Sequence, residues 1–250
     1  MVTPTSLPKI ATSSAYQGWL WIYAGYQLFK RSPLNWLAMC GVLVIGIIII
    51  TLLPVLFPVV LIVMPGVTAG LMLAAHTAQQ GARIHIGYLL AGFSRQRNEL
   101  LKLGVINLLA YVVVMIVASI VFPFVADPAA METLRQLEAG AAPTPDMLPD
   151  LALLMLIIAL LAIPQIMALW FSPALIIINK LKAWDAVKLS IQACNKNLLA
   201  LLVYGLISVF FLLVITPLTF GVAFIVMIPV FFCSIYCSWH QVFGESPAAP

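Results

Sequence analysis

Two cysteines and two histidines have spacings that could support metal chemistry. Cys233, Cys237 and His240 are separated by four and three residues, which places them on one face of a helix. His76 and His240 each follow a proline by 11 residues, so they occupy matching positions in two helices. Thiolates and imidazoles are ligands that zinc and other soft metals prefer. A site of two thiolates and two imidazoles is therefore one interpretation of this pattern.

The simpler interpretation needs no ion. Cysteine packs as a small apolar residue, and histidine tolerates the edge of a membrane. Spacing alone does not make a metal site, so we expect no bound metal. The sequence also lacks a G-x-S-x-G elbow, an H-E-x-x-H pair, a P-loop and a dinucleotide-binding glycine fingerprint. We expect neither a cofactor nor an enzymatic activity.

The composition requires an apolar environment around these residues. Of the 250 residues, 64% are apolar and only 8% are charged, whereas about a quarter are charged in a soluble domain. There are too few charges to build a water-facing shell, so the surplus apolar surface must face lipid. The net charge is +4, but the sequence contains no long basic run and no nucleic-acid-binding motif. This pattern excludes nucleic acid as a partner.

Stretches without Asp, Glu, Lys or Arg predict six transmembrane helices. About 20 apolar residues cross a bilayer as a helix. Residues 32–82 and 197–244 are each long enough for two spans and a turn, whereas 103–126 and 151–179 each hold one. None of these runs alternates as a barrel strand would. The predicted fold class is therefore all-α, a polytopic membrane protein with a single membrane domain over residues 1–250.

Polar residues inside the predicted spans are uncharged, which argues against an ion pathway. Asn107 and Gln165 are the two that could do more than hydrogen-bond between helices. Gln165 follows Pro164, where a freed carbonyl could line a small cavity. We favour interhelical hydrogen bonds as the role of these polar side chains.

The distribution of Lys and Arg predicts the orientation. With six spans, 11 of the 12 cations fall on one side, and Arg135 stands alone on the other in an acidic loop. The positive-inside rule makes the first side cytoplasmic, with both termini there. The four cysteines lie on or near that side, where the compartment is reducing and disulfides are not expected. We predict a multi-pass protein of the bacterial inner membrane.

The sequence pattern also predicts a three-fold internal repeat. Each unit has a short amphipathic helix at the cytoplasmic interface, a span, and a second span that carries a proline, namely Pro65, Pro173 and Pro229. The apolar stripes of the short helices are expected to face the lipid interface. Parallel units of two spans arrange around an axis normal to the membrane. The boundaries are a tail over 1–14, units over 15–80, 81–180 and 181–244, an outer loop over 127–150 in the second unit, and a tail over 245–250.

Basic and aromatic residues near the short helices have two interpretations. The basic residues could recognise anionic lipid headgroups as a ring, or attract such lipids without selectivity. The predicted headgroup-binding residues are Lys30, Arg31, Arg95, Arg97, Lys188 and Lys196. Tryptophans favour the depth of the headgroups and act as anchors there. The predicted anchors are Trp19, Trp21, Trp36 and Trp184.

The segment GWLWIYAGYQLFKRSPLNWL, residues 18–37, resembles a group of uncharacterised bacterial inner-membrane proteins. That group is similar to the membrane domain fused to some glycerophosphodiester phosphodiesterases. The resemblance covers nearly the whole chain through weakly specific aromatic motifs. It implies the six-helix architecture and no activity, because the catalytic phosphodiesterase domain is absent from this sequence.

Two functions remain open on the sequence. The first is a non-enzymatic envelope module that binds membrane lipid, a protein partner or a second copy of the chain. The alternative is a transporter or channel for a small neutral or lipidic substrate, with a pathway between the proline-kinked spans. A transporter needs a cavity near the membrane midplane, whereas a module can be a closed bundle.

Overall fold

The protein consists mainly of helices in the residues that its computed structural model describes, which are 8–126, 128–140, 142 and 144–244. No strand occurs among those residues. Backbone groups in lipid must find partners within their own segment, and helices meet this requirement. The predicted all-α class is confirmed.

The helices follow one another with short connections. The α-helices are α1 Gln17–Phe29, α2 Pro33–Thr51, α3 Phe57–Gln79, α4 Ala91–Arg95, α5 Arg97–Val125, α6 Pro128–Glu138, α7 Leu148–Leu161, α8 Ile163–Trp170, α9 Ser172–Ile177, α10 Ala183–Lys196, α11 Leu198–Phe210, α12 Thr216–Leu218 and α13 Val222–Phe243. Short 3₁₀ segments cover Pro54–Leu56, Ile86–Leu90 and Pro145–Met147, and a π-helical segment covers Phe211–Ile215.

Among the described residues, five helical stretches are long and apolar enough to cross a membrane, and a sixth candidate is broken. The continuous stretches are Pro33–Ile50, Phe57–Gln79, Arg97–Val125, Leu198–Leu218 and Val222–Phe243. The stretches Pro145–Leu161 and Ile163–Ile177 meet at a bend of 46° and count as one span only if taken together. The prediction of a polytopic membrane protein is confirmed, with five or six spans according to how this bent pair is counted.

Prolines explain why the fourth predicted span is bent. Pro164 lies in the first turn of α8, and Pro173 lies in the first turn of α9. A proline has no backbone N–H and clashes with the preceding helical turn, so a new helix begins where each one occurs. The segment that the sequence presents as one long span is therefore three shorter helices.

The turn between the last two spans lies within the apolar run of residues 197–244. Thr216–Leu218 is still helical. The chain reverses at Phe220 and Gly221, whose φ angles are 51° and 84°. Glycine adopts this left-handed conformation without strain, so the position of Gly221 fixes the start of α13.

The predicted outer loop contains a helix. In α6, Ala130 packs into a small apolar cluster with Ala118 and Phe122 of α5 and Ile157 of α7. The Thr133 hydroxyl donates to Asp150 Oδ2 at 2.7 Å. The charged segment that the sequence predicts to be an outer loop is thus packed against the spans on both sides.

Three short helical stretches precede the spans α2, α5 and α11, and we call them the lead segments. They are α1, the stretch Ile86–Arg95 that includes α4, and α10. The first packs on α13 and α11, the second packs on α3, and the third packs on α8 and α9. All three are therefore built into the bundle.

The lead segments do not turn their whole apolar stripe to lipid. In α10, Val187 and Cys194 are buried, and only Trp184 from the same stripe is exposed. Ser190 of this helix accepts a hydrogen bond from the Phe171 N–H at 3.0 Å and donates to the Met167 carbonyl at 2.6 Å. The expectation that these stripes face lipid is wrong for α10, whereas in α1 the stripe residues Trp19, Tyr23 and Tyr26 are exposed.

The main core lies where α3, α9 and α13 approach one another. Leu71, Met72, Leu175, Ile176 and Val242 are almost completely inaccessible there. The opposite ends of the spans carry many exposed aliphatic and aromatic side chains, such as those of Ile49 in α2 and Leu213 in the π-helical segment. Exposed apolar surface of this kind suits contact with lipid tails.

Candidate lipid-headgroup site

A close crossing of two helices creates the candidate site. α1 crosses α13 where Gly25 lies against Ser234, and a Cβ atom added to Gly25 would stand 2.6 Å from the Ser234 backbone nitrogen. Only a residue without a side chain permits this approach. The crossing leaves a polar cavity on one side of α1 and an apolar cavity on the other.

The first cavity, which we call the polar pocket, has a volume of about 410 Å³. It lies between α1, the end of α3 and the last turns of α13. Its polar lining side chains are Gln17, Gln27, Arg31, Gln79, His240 and Gln241. None of the described residues that line it is acidic, so the only fixed charge at the pocket is positive.

Arg31 is held in place by the end of α3. Its Nη1 atom donates to the Gln79 carbonyl at 3.1 Å and to the Ala78 carbonyl at 3.4 Å. Carbonyls at a helix C-terminus lack intrahelical partners and carry partial negative charge, which a cation stabilises. A guanidinium has more N–H donors than these two carbonyls use, so Arg31 can also bind an anionic ligand.

The histidines and cysteines do not form a metal centre. The Gln80 amide donates to Nε2 of His76 at 3.0 Å, which leaves Nδ1 of that ring to donate to the Tyr236 hydroxyl at 3.1 Å. Both ring nitrogens of His76 are thus used within the protein. His240 and Cys237 line the polar pocket, whereas Cys233 is fully buried. Among the described residues, no group of three or more His, Cys, Asp or Glu side chains could hold a metal ion.

The six predicted headgroup-binding residues are all exposed but lie in or just after different lead segments. Only Arg31 lines the polar pocket. Lys30 instead places its ammonium 4.9 Å from the ring centre of Tyr26, and Lys188 stands 5.5 Å from the ring of Trp184. Arg95 and Arg97 flank the junction of α4 and α5, and Lys196 ends α10.

Two of the four predicted tryptophan anchors are inside the protein. Trp21 is 2% exposed and donates its indole N–H to Gln241 Oε1, and Trp36 is 0% exposed. Side chains enclosed by protein cannot contact lipid headgroups, so the anchoring role does not apply to them. Trp19 and Trp184 are 38% and 58% exposed, and they keep the position that an anchor requires.

The two polar residues singled out within the spans form one network. Asn107 donates to the Leu61 carbonyl at 2.8 Å, and Gln165 donates to Asn107 Oδ1 at the same distance. The network joins α3, α5 and α8. It is interhelical hydrogen bonding, which is the role that the sequence favoured.

Sequence reasoning missed the part that Glu99 and Asn197 play. Glu99 pairs with Lys102, as its sequence neighbours suggest, but it also accepts a hydrogen bond from the Ala183 N–H at 2.8 Å. Asn197 accepts from the Ser13 N–H at 2.6 Å. Both residues stand six positions after an apolar residue of a lead segment. That matched spacing is the signal that could have found them.

The chain is similar to the probable inner membrane protein BTH_II0599 of Burkholderia thailandensis, with 26% identity over 265 residues and 95% of each chain covered. No protein-family model matches the chain, and no solved structure matches it. The description of the relative agrees with the predicted inner-membrane location. The resemblance to the membrane domain of glycerophosphodiester phosphodiesterases stays a prediction, since nothing in these matches bears on it.

Proposed function

We propose that the protein is a non-enzymatic module of the bacterial inner membrane that binds anionic lipid at its cytoplasmic face. The observation that carries this proposal is the polar pocket, whose one fixed charge is the guanidinium of Arg31. Exposed cations in or just after the three lead segments extend the positive surface around it. Basic residues at this depth attract anionic lipids at about 1 kcal/mol each.

The module has three units, with the lead segments near the cytoplasmic surface and both termini on that side. The packing of the lead segments supports this layout. The second packs on α3 of the first unit, the third packs on α8 and α9 of the second, and the first packs on α13 of the third. Each unit thus contacts its predecessor in the same way, as parallel copies around an axis would.

The packing of the core favours a closed module rather than a transporter or channel. Side chains such as Leu71, Leu175 and Ile176 fill the space where the proline-bearing stretches converge. The polar network of Asn107 and Gln165 is occupied by its own hydrogen bonds. A protein partner or a second copy of the chain would contact the remaining apolar surface.

The proposal is tested by measuring which lipids the protein retains. Nanodiscs with equal phosphatidylglycerol and phosphatidylcholine are prepared, and the lipids released with the protein in mild detergent are counted by native mass spectrometry. We expect phosphatidylglycerol to be enriched, with the enrichment reduced by salt. Changing Lys188 and Lys196 to Gln should lower the enrichment, whereas Arg135→Gln on the other side should not. Equal retention of both lipids would contradict the proposal.

A further inference from the structure

We propose that the protein holds one phospholipid molecule across α1, with its phosphate in the polar pocket and one acyl chain in the apolar cavity beyond the helix. This inference rests on the proposed function and makes it more specific. General attraction of anionic lipid needs only surface charge. A single bound lipid needs a shaped site with a polar end and an apolar end.

The polar end has the chemistry of a phosphate site. Arg31 is fixed by the two carbonyls that end α3, so its remaining donors are already oriented when a ligand arrives. A guanidinium matches the oxygens of a phosphate through paired hydrogen bonds. Gln27 and His240 line the same pocket and supply further donors. The absence of an acid among its described lining residues leaves the charge of Arg31 uncompensated.

The apolar end lies on the other side of the Gly25–Ser234 crossing. This cavity, which we call the apolar pocket, has a volume of about 310 Å³ between α1, the π-helical segment and the first turns of α13. Ile22, Ile215, Val226 and Met227 are among its lining residues, all of which are aliphatic or aromatic. A cavity of this kind has no partner for water and suits a hydrocarbon chain.

Tyr23 connects the two ends, because it lines both the polar pocket and the apolar pocket. Its side chain is exposed on the outer surface of α1, so a ligand can pass over it from one pocket to the other. A free phosphate would use only the polar end. The pairing of a cationic cavity with an apolar one on the same helix therefore favours a phospholipid.

Adjacent cations provide the test at the polar end. Arg31→Gln and Lys30→Gln remove the same charge one residue apart, but only Arg31 lines the pocket. Each variant is placed in the mixed nanodiscs, and the singly bound phosphatidylglycerol is measured by native mass spectrometry. We expect Arg31→Gln to weaken this binding about tenfold or more, the size of one charge-assisted hydrogen bond. Lys30→Gln removes only the general attraction of one surface cation and should weaken this binding less, by at most about fivefold.

The apolar end is tested without any change of charge. Val226→Phe fills the apolar pocket, whereas Ile225→Phe on the same helix does not line it. We expect the first variant to lose the bound lipid and the second to keep it. Because Arg31 also caps α3, His240→Ala provides a second polar variant at a residue with no hydrogen bond to that helix, and it should weaken binding in the same direction.

Three outcomes would overturn the inference. The first is equal binding by the Arg31 and Lys30 variants. The second is retention of the lipid by Val226→Phe. The third is release of the lipid by inorganic phosphate as readily as by short-chain phosphatidylglycerol, which would indicate a site for phosphate alone. In each case enrichment of phosphatidylglycerol over phosphatidylcholine can persist, so the proposed function survives. Loss of that enrichment in the unmodified protein would contradict both.

Discussion

Asn197 holds the backbone of Ser13 across 184 positions of the chain. Its Oδ1 atom accepts the Ser13 N–H at 2.6 Å, and its Nδ2 atom donates to the carbonyls of Ala11 and Ala193, both at 3.0 Å. The side chain is buried, its bond to Ala193 is buried, and its bonds to Ser13 and Ala11 are partly buried. The Ala11 N–H also donates to the Val242 carbonyl at 2.9 Å. The beginning of the described chain is thereby fastened to its last third.

Replacing Asn197 with Leu should destabilise the protein strongly. The substitution leaves the N–H of Ser13 and the carbonyl of Ala11 without their partner, and the loss of each hydrogen bond costs about 0.5–1.5 kcal/mol. Asn195→Ala is the matched control, because Asn195 is exposed on the same helix and should change stability by less than about 0.5 kcal/mol. Thermal unfolding in detergent measures both. Equal melting temperatures for the two variants would show that the bonds of Asn197 contribute nothing.

Gly25 and Gly41 should respond in opposite directions to the same substitution. An added Cβ at Gly25 would overlap the backbone of Ser234, whereas one at Gly41 would meet nothing within 4 Å. Gly25→Ala should therefore separate α1 from α13 and lower the melting temperature. Gly41→Ala should be neutral or stabilise α2 by up to about 1 kcal/mol, because alanine favours the helix. A Gly25→Ala protein with unchanged stability and unchanged lipid binding would disprove the close crossing.

Glu99 should matter more for its bond to the backbone than for its ion pair. Its partner Lys102 is largely exposed, and exposed pairs contribute about 0–1 kcal/mol. The hydrogen bond to the Ala183 N–H sets the start of α10. We expect Glu99→Ala to destabilise the protein more than Lys102→Ala, with Glu99→Gln in between because the amide oxygen can still accept. Chemical denaturation would rank the three, and a larger loss in Lys102→Ala would reverse the interpretation.

Cys194 should be unreactive in the folded protein. Burial raises the pKa of its thiol from the ordinary 9.0 to about 12, and reagents attack the thiolate. Between about pH 9 and pH 12 the unfolded chain loses this proton and the folded chain keeps it, so the free energy of unfolding falls as pH rises. Cys194→Ala should show a shallower fall over the same range. Rapid maleimide labelling of Cys194 at neutral pH would contradict the burial.

Two engineered cysteines test the orientation of the protein in the membrane. In a background without the native cysteines, Arg135→Cys should react with an impermeant maleimide in cells with a permeabilised outer membrane and an intact inner membrane. Lys188→Cys should react only after the inner membrane is opened, because the positive-inside rule places α10 on the cytoplasmic side. The reverse labelling pattern would show that the protein has the opposite orientation in the membrane. Labelling of both thiols while the inner membrane is intact would show that the number of crossings differs from the prediction.

Some features could be predicted well because they depend on local composition. The apolar runs identify most of the spans, since the bilayer acts on each stretch of about 20 residues separately. The broken fourth span was less predictable. Pro164 and Pro173 are visible in the sequence, but whether a helix kinks or restarts at a proline depends on what its neighbours supply. The prediction that Trp21 and Trp36 are anchors was wrong for a similar reason. The sequence of a helix does not indicate which neighbouring helices will cover its tryptophans.

The amino-acid sequence by itself determined that this chain is a membrane protein, and it predicts that the cations gather on one side. The first follows from free energies of transfer that add up residue by residue along the chain. The tertiary structure decided which faces of the lead segments are covered, that Arg31 caps α3, and that a polar and an apolar pocket flank α1. These features depend on residues that come together from opposite ends of the chain, such as Gly25 with Ser234. Only the packed bundle specifies those contacts.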